Sequence, residues 1–188
     1  MIKLYGSKMS SALRCHILAK ELGLDFEEVP VNMGQGEHKS AEFLKLNPNG
    51  KIPCLVDGDF VIWESMAINS YLTAKFQPEL LGTTIEKRAL LDQWSYWAIL
   101  YPQPHLFSLV MNQDADAQAT AKEALLPYHR IMDGALRAND YLLGDHFTLA
   151  DINVGSVMMI NNLVGSDMAE YPALSAWLNR LMARPCFQ

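Results

Sequence analysis

The chain has little cysteine, no excess of basic charge and no long apolar run, and each absence disfavours a class of protein. Three cysteines in 188 residues are too few for a disulfide framework. Because the first residues also lack the pattern of a signal peptide, we expect free thiols in the cytoplasm. Fifteen basic against 21 acidic residues give a net charge of −6, so we expect no nucleic acid partner. No apolar run approaches the roughly 18 residues of a membrane span, so we expect no membrane association.

Most familiar catalytic motifs are missing as well. The sequence contains no G-x-G-x-x-G or G-x-x-x-x-G-K loop that would cradle phosphates, and no G-x-S-x-G nucleophile elbow. Its five histidines form no i, i+4 pair and have no cysteine at metal-ligand spacing, so we expect no metal site. Half of the residues are hydrophobic and 19% are charged, which indicates a globular protein with a sizeable core.

Residues 1–76 alternate between strand and helix patterns. We predict strands at 2–5, 26–31, 52–56 and 60–63, and helices at 10–22, 40–46 and 64–76. Asp57-Gly58-Asp59, between the last two strands, predicts a tight hairpin. A βαβ unit followed by a ββα unit predicts a mixed sheet covered by helices, hence an α/β domain.

From Thr84 onward the sequence shows helix signals only. Pro102 and Pro104 should end or kink one helix, and Thr148 with Asp151 predicts a capping box before a very apolar helix. We therefore expect an all-α domain over residues 84–188, joined to the first by a linker at 77–83.

Two helix starts carry hydroxyl groups that could bind an anion. The first strand-to-helix junction holds Ser7, Ser10 and Ser11, and Glu64-Ser65 precedes the helix after the hairpin. Free N–H groups and the helix dipole attract anions at such positions. Simple helix capping explains the same residue types, and on local spacing alone it is the better interpretation.

Two loops are further candidates. Lys51-Ile52-Pro53 precedes a predicted strand, and the general preference of X–Pro bonds favours a trans peptide there. Glu37-His38-Lys39 lies in a polar loop, where a solvated charge cluster is the default interpretation.

Taken in order, these segments resemble the cytosolic glutathione transferases, nearest to the serine-type phi and related bacterial classes. The resemblance covers nearly the whole chain and is carried by these motifs: Lys3-Leu4-Tyr5-Gly6, Met9-Ser10, Arg14-Cys15, Glu37-His38-Lys39-Ser40, Asn47-Pro48-Asn49-Gly50-Lys51-Ile52-Pro53, Asp57-Gly58-Asp59, Trp63-Glu64-Ser65-Met66-Ala67-Ile68, Thr148-Leu149-Ala150-Asp151 and Arg184-Pro185-Cys186-Phe187. It implies a thioredoxin-like N-terminal domain, an all-helical C-terminal domain and a homodimer with a role in detoxification.

The resemblance also implies how glutathione, the co-substrate, is held. Ile52 and Pro53 form a cis peptide that pairs with the cysteinyl part, beside Lys51, which stands where Gln is frequent. Glu64 and Ser65 hold the γ-glutamyl end. His38 and Lys39 face the glycyl carboxylate. Glutathione carries two carboxylates and one ammonium group, and these segments supply matching charges and helix starts.

A serine at the first helix stabilises the glutathione thiolate in this family, and two residues compete for that role. The match from Met9 favours Ser10, our first choice, whereas alignment through His16-Ile17 favours Ser11. The chain is one residue shorter here than phi relatives, and it stops soon after Arg184-Pro185-Cys186-Phe187, without the last helical segment of longer relatives.

The acceptor pocket for the hydrophobic electrophile is weakly defined. The family places it in a cleft between the domains, for which the candidates are Lys8, Met9, Trp94, Trp97, Tyr101 and His105. Trp94, Trp97 and Tyr101 share a helix face, and such a stripe is more often core or dimer contact than pocket.

Three functions follow. The first is conjugation of the glutathione thiolate to a hydrophobic electrophile, and the second is a non-catalytic ligand-binding or scaffold protein of the same fold. A glutathione-linked thiol oxidoreductase is the third; it is disfavoured because Ser7 and Ser10 stand at the C-x-x-C spacing.

Overall fold

In a computed structural model, which describes all 188 residues, the chain forms two units. The first unit is Met1–Pro78 and the second is Glu79–Gln188. A short 3₁₀ turn, Pro78–Leu81, lies where they meet along the sequence. No helix combines the length and the apolar character that crossing a bilayer requires.

The first unit is built on a four-stranded mixed sheet. Its strands are β1 (Ile2–Tyr5), β2 (Phe26–Val29), β3 (Cys54–Asp57) and β4 (Phe60–Trp63). They lie in the order β2-β1-β3-β4, with β1 and β2 parallel and the other pairs antiparallel. Gly58, at φ +62°, supplies the left-handed residue that the tight β3–β4 turn needs.

Three helices accompany this sheet: α1 (Leu13–Glu21), α2 (Ala41–Leu46) and α3 (Ser65–Phe76). The Ser40 hydroxyl accepts a hydrogen bond from the Phe43 N–H at 3.2 Å and so caps α2 as its sequence predicts. The helices α1 and α3 contact each other. Leu4, Leu18 and Ile68 are almost completely buried, so apolar burial from strands and helices stabilises this unit.

The second unit is helical throughout. Its helices are α4 (Ile85–Leu100), α5 (Pro102–Met111), α6 (Ala115–Leu136), α7 (Leu149–Met158), α8 (Ile160–Leu163) and α9 (Pro172–Met182). Pro102 occupies the first turn of α5, where its missing N–H costs nothing. All ten residues of α7 are buried, so α7 is the centre of this unit. The order of elements confirms the predicted thioredoxin-like and all-helical architecture.

Asp151 holds the centre of the second unit together. Its carboxylate accepts hydrogen bonds from the Thr148 N–H at 2.9 Å and the Thr148 hydroxyl at 3.0 Å. It also accepts the Leu142 N–H at 3.0 Å and the Trp177 indole N–H at 2.9 Å. One buried side chain thus joins the start of α7 to α9 and to the preceding turn, which fits a structural role.

The first helix begins three residues later than its sequence predicts. The Ser10 hydroxyl accepts the Ala12 N–H at 3.1 Å, and the Ser10 N–H donates to the Ser7 carbonyl at 3.0 Å. Local bonds of this kind compete with helix formation, so residues 7–12 form turns and α1 starts at Leu13. The predicted helix start at Ser10 is therefore wrong, and both candidate serines precede α1.

Candidate functional site

The loop between β1 and α1 is packed closely against its surroundings. Gly6 has φ +149°, and a side chain there would lie 2.8 Å from Cβ of Ala12. The same added atom would lie 3.6 Å from Cβ of Ile52. Glycine is therefore required where the loop turns back over the start of α1 and beside the Ile52–Pro53 turn.

The two candidate serines differ in their hydrogen bonds. The Ser10 hydroxyl donates a hydrogen bond to the Ser7 carbonyl at 2.6 Å and accepts one from the Ala12 N–H. It therefore acts as both donor and acceptor within its own loop. The Ser11 hydroxyl donates to the Ile52 carbonyl, 41 residues away in sequence, at a longer 3.3 Å. Both side chains are half-buried. Ser11 is thus the hydroxyl that faces the Ile52–Pro53 turn.

The Ile52–Pro53 peptide bond is cis, as the family resemblance implies. The turn before it is fixed by the Asn47 side-chain amide, which donates to the Lys51 carbonyl at 2.6 Å. The Lys51 side chain is exposed, whereas Pro53 is buried.

The loop with His38 and Lys39 lies against this turn. Gly50 has φ +58°, and a side chain there would come within 2.8 Å of the His38 carbonyl. Lys39 Nζ donates to the Asn49 carbonyl at 3.2 Å. The Nδ1 atom of His38 is buried without a hydrogen bond, although the residue is only half-buried. The His38–Lys39 loop and the turn before Pro53, two of the four predicted segments, are therefore neighbours.

The Glu64–Ser65 segment forms the start of α3. Glu64 has φ +72° and ψ +113°, a conformation that costs a non-glycine residue about 1–3 kcal/mol and often marks a functional position. Its carbonyl accepts the Ile68 N–H at 2.9 Å, and its side chain is exposed. Ser65 is buried, and its carbonyl accepts the Cys15 thiol at 3.6 Å, which ties α3 to α1.

A buried cation lies near the Glu64 carboxylate. Burial lowers the pKa of Arg14 to about 10, and the neighbouring Cys15 and then Glu64 partly oppose that shift. Arg14 therefore stays positive at neutral pH and attracts the Glu64 carboxylate. The sequence identified Arg14 only as part of a motif that resembles the glutathione transferases. It indicated no role, because the charge interaction of Arg14 with Glu64 depends on how α1 and α3 pack.

The aromatic candidates converge on a residue that the sequence did not single out. The rings of Trp97, Tyr101 and His105 lie 6.0, 6.1 and 5.9 Å from the ring of Tyr128, measured between centroids. Trp94 is buried, and the centroid of its ring lies 5.3 Å from that of Trp97. Tyr128 follows Pro127 inside α6, and no local pattern marks it, since its partners lie on other helices.

Lys8 and Met9, the two acceptor-site candidates from the first unit, differ in their contacts. Lys8 Nζ forms an ion pair with Glu28 Oε1 at 3.1 Å. Met9 is 98% exposed. No group of three or more His, Cys, Asp or Glu side chains is arranged to hold a metal ion.

The first unit therefore gathers the groups that a short zwitterionic peptide would need. A carboxylate, a helix start, a lysine and two hydroxyls lie on segments that touch one another through the Gly6, Gly50 and Ser65 contacts. Such groups bind carboxylates and ammonium ions through charge-assisted hydrogen bonds.

Comparison with known proteins places this arrangement in a family. Residues 1–74 match the glutathione S-transferase N-terminal domain, and residues 90–185 match the glutathione S-transferase C-terminal domain. The chain belongs to the glutathione S-transferase family.

Its relatives include plant enzymes of the phi class. Glutathione S-transferase 3 of Zea mays is 37% identical, over 100% of this chain and 91% of the relative. Glutathione S-transferase 1 of Zea mays is 36% identical, over 100% of this chain and 94% of the relative. The phi-like resemblance is thereby confirmed.

Among solved structures, glutathione S-transferase I from maize, in complex with an atrazine glutathione conjugate, is 34% identical. It superimposes with a TM-score of 0.91 and covers 100% of this chain and 94% of its own. A structure of glutathione S-transferase I bound with lactoylglutathione is 35% identical, with a TM-score of 0.90, and covers 98% and 95% of the two chains.

Proposed function

We propose that this protein is a glutathione transferase that joins the thiolate of glutathione to a hydrophobic electrophile. The observation that carries the proposal is the gathering of the serine loop, the Ile52–Pro53 turn and the Glu64–Ser65 helix start within the first unit. Homologues with this name, and solved neighbours that hold glutathione conjugates, support the same activity.

The two ends of glutathione would be held by charge. The exposed Glu64 carboxylate would bind the ammonium group. The Ser65 N–H and hydroxyl, at the start of α3, would bind the γ-glutamyl carboxylate, helped by the helix dipole. Lys39 and His38 would face the glycyl carboxylate from the adjoining loop. Lys51, Ile52 and Pro53 would line the cysteinyl part.

The hydrogen bonds favour Ser11 over Ser10 as donor to the thiolate. Ser10 would have to break a 2.6 Å bond to the Ser7 carbonyl, whereas Ser11 would give up a bond of 3.3 Å. The longer bond is the weaker one, so its proton is easier to redirect. This preference for Ser11 reverses the sequence-based preference for Ser10. The single variants Ser10→Ala and Ser11→Ala distinguish the two assignments.

The electrophile would contact aromatic side chains of the second unit, among them Trp97, Tyr101 and His105 around Tyr128. Lys8 and Met9 are the candidates from the first unit. The fully exposed Met9 is a flexible apolar side chain of the kind that adapts to varied partners.

Two further properties belong to the same proposal. The protein would act as a homodimer, since the helices of the second unit expose large apolar side chains such as Ile85, Leu100 and Met111. It would act in the cytoplasm in detoxification, a location supported by its three free cysteines.

Binding and turnover test the proposal separately. We expect retention on immobilised glutathione and saturable conjugation of a chlorodinitrobenzene-type substrate. Glu64→Gln should weaken glutathione binding roughly tenfold or more, because it removes a charge-assisted contact. Glutathione binding without conjugation would instead indicate the non-catalytic ligand-binding or scaffold protein.

A further inference from the structure

One carboxylate on the sheet contacts both the serine loop and a buried histidine. Glu28, on β2, has Oε1 at 3.1 Å from Lys8 Nζ and 3.4 Å from His16 Nδ1. Lys8 lies in the loop that carries the two candidate serines, and His16 lies on α1. Glu28 therefore joins β2 both to α1 and to the loop that carries the candidate thiolate donor.

The Lys8–Glu28 pair is the tie that connects residues 7–10 to the sheet. The other hydrogen bonds of these residues end within residues 7–13. Gly6 and Ser11 are anchored on either side, to the Val29 and Ile52 carbonyls. Between these anchors, the position of the loop depends on Lys8.

His16 is placed to change the strength of this tie. Only 7% of its side chain is exposed, and its ring packs 5.5 Å from the ring of Phe26. The charged groups that act on it are Glu28 on β2 and Lys8 in the loop. Burial lowers the pKa of His16, and Glu28 partly opposes that shift. His16 is thus neutral at neutral pH and takes up a proton only below the usual titration range of histidine.

We propose that Glu28 is a positioning residue for conjugation: through Lys8 it holds the serine loop in place, and protonation of His16 loosens that hold. An imidazolium so close to Glu28 competes with Lys8 for one carboxylate oxygen and repels the lysine. The inference rests on the proposed function, because it concerns the loop that would carry the thiolate donor.

The neighbouring residue on β2 supplies a matched control. Glu27 pairs with Lys3 at 3.0 Å, and its side chain is 44% exposed, against 48% for Glu28. Glu27→Gln therefore removes the same charge from the same strand and breaks an equivalent ion pair. It does not touch the serine loop.

The experiment compares Glu28→Gln with Glu27→Gln in the full-length protein. Conjugation of glutathione to a chlorodinitrobenzene-type substrate gives kcat/KM, and hydrogen exchange gives the opening of residues 7–12. We expect Glu28→Gln to lower kcat/KM about two- to fivefold, the effect of one exposed ion pair, and to speed exchange in the loop. Glu27→Gln should do neither.

The pH dependence separates positioning from a merely structural role. The ratio of wild-type to Glu28→Gln activity should fall towards one as the pH drops below the ordinary histidine range and His16 takes up a proton. In a His16→Gln background this ratio should stay constant with pH. A constant ratio in the unsubstituted protein would overturn the role of His16.

Two outcomes would overturn the positioning role itself. Equal rates and equal loop exchange in the two glutamine variants would show that Glu28 holds nothing. Loss of activity in Lys8→Met but not in Glu28→Gln would show that Lys8 acts directly on the acceptor. If the wild-type protein does not conjugate glutathione, the proposed function fails, and loop exchange still decides whether the tie exists.

Discussion

Replacing Ser11 by alanine removes the hydroxyl that we place beside the glutathione thiolate. A free thiol has a pKa near 8.5, so only a few per cent is ionised at neutral pH. A hydrogen bond to a charged acceptor contributes about 1.5–3 kcal/mol, and each pKa unit corresponds to about 1.4 kcal/mol. One hydroxyl can therefore lower the pKa of the bound thiol by about one to two units without a general base.

We expect Ser11→Ala to raise the pKa of bound glutathione by that amount and to lower conjugation at pH 6.5 at least tenfold. The assay is the ultraviolet absorbance of the thiolate, titrated in the protein–glutathione complex, together with kcat/KM over the same pH range. Glutathione affinity should change much less, because the two ends of the peptide are held by other segments.

Ser10→Ala is the comparison that makes the result specific. Because the Ser10 hydroxyl is engaged within its own loop, its removal should have the smaller effect. If only Ser10→Ala raises the thiol pKa, the donor is Ser10 and our ordering is wrong. If neither variant does, the hydroxyl argument fails, and the thiolate would have to be stabilised by backbone N–H groups.

The remaining predictions concern stability and thiol chemistry. Asp151→Ala should destabilise the protein by at least about 3 kcal/mol in denaturant unfolding, since it leaves buried donors such as the Trp177 indole unpaired. The variant that does fold should still bind glutathione. Burial lowers the pKa of His129, whose Nε2 lies 3.1 Å from the side-chain oxygen of Asn161. The unfolded state therefore takes up a proton at higher pH than the folded state, and the free energy of unfolding should fall as the pH drops below about 6.5. The loss of unfolding free energy between about pH 7.5 and 5.5 should be smaller in His129→Gln. Burial raises the pKa of Cys15 to about 12, so mass spectrometry should find this thiol unmodified by iodoacetamide at pH 8 in the native protein and modified after denaturation.

The elements of the fold were predictable because their signals are local. Short segments determine where several elements begin or end: the Asp57-Gly58-Asp59 turn, the Ser40 cap and the prolines in the first turn of α5. The start of α1 was not predictable, because Ser10 offered both a cap and a competing turn, and hydrogen bonds within the loop selected the turn.

The site was predictable only in part, for a related reason. His38, Lys39, Glu64 and Ser65 stand in motifs that resemble known sequences and could be named from them. Tyr128 and Glu28 could not, since their contacts are made across elements far apart in sequence. The choice between Ser10 and Ser11 also depends on which hydroxyl faces Ile52, which spacing alone does not define.

The initial rate of conjugate formation by the purified protein tests the central claim most directly. Glutathione and a chlorodinitrobenzene-type electrophile are mixed with wild-type protein and with a Ser10→Ala/Ser11→Ala double variant, and the thioether product is measured by mass spectrometry. We predict a rate that is proportional to wild-type protein, saturates with glutathione and falls at least tenfold in the double variant. A wild-type rate no higher than that of the uncatalysed reaction, under conditions where glutathione is bound, would contradict the assignment as a transferase.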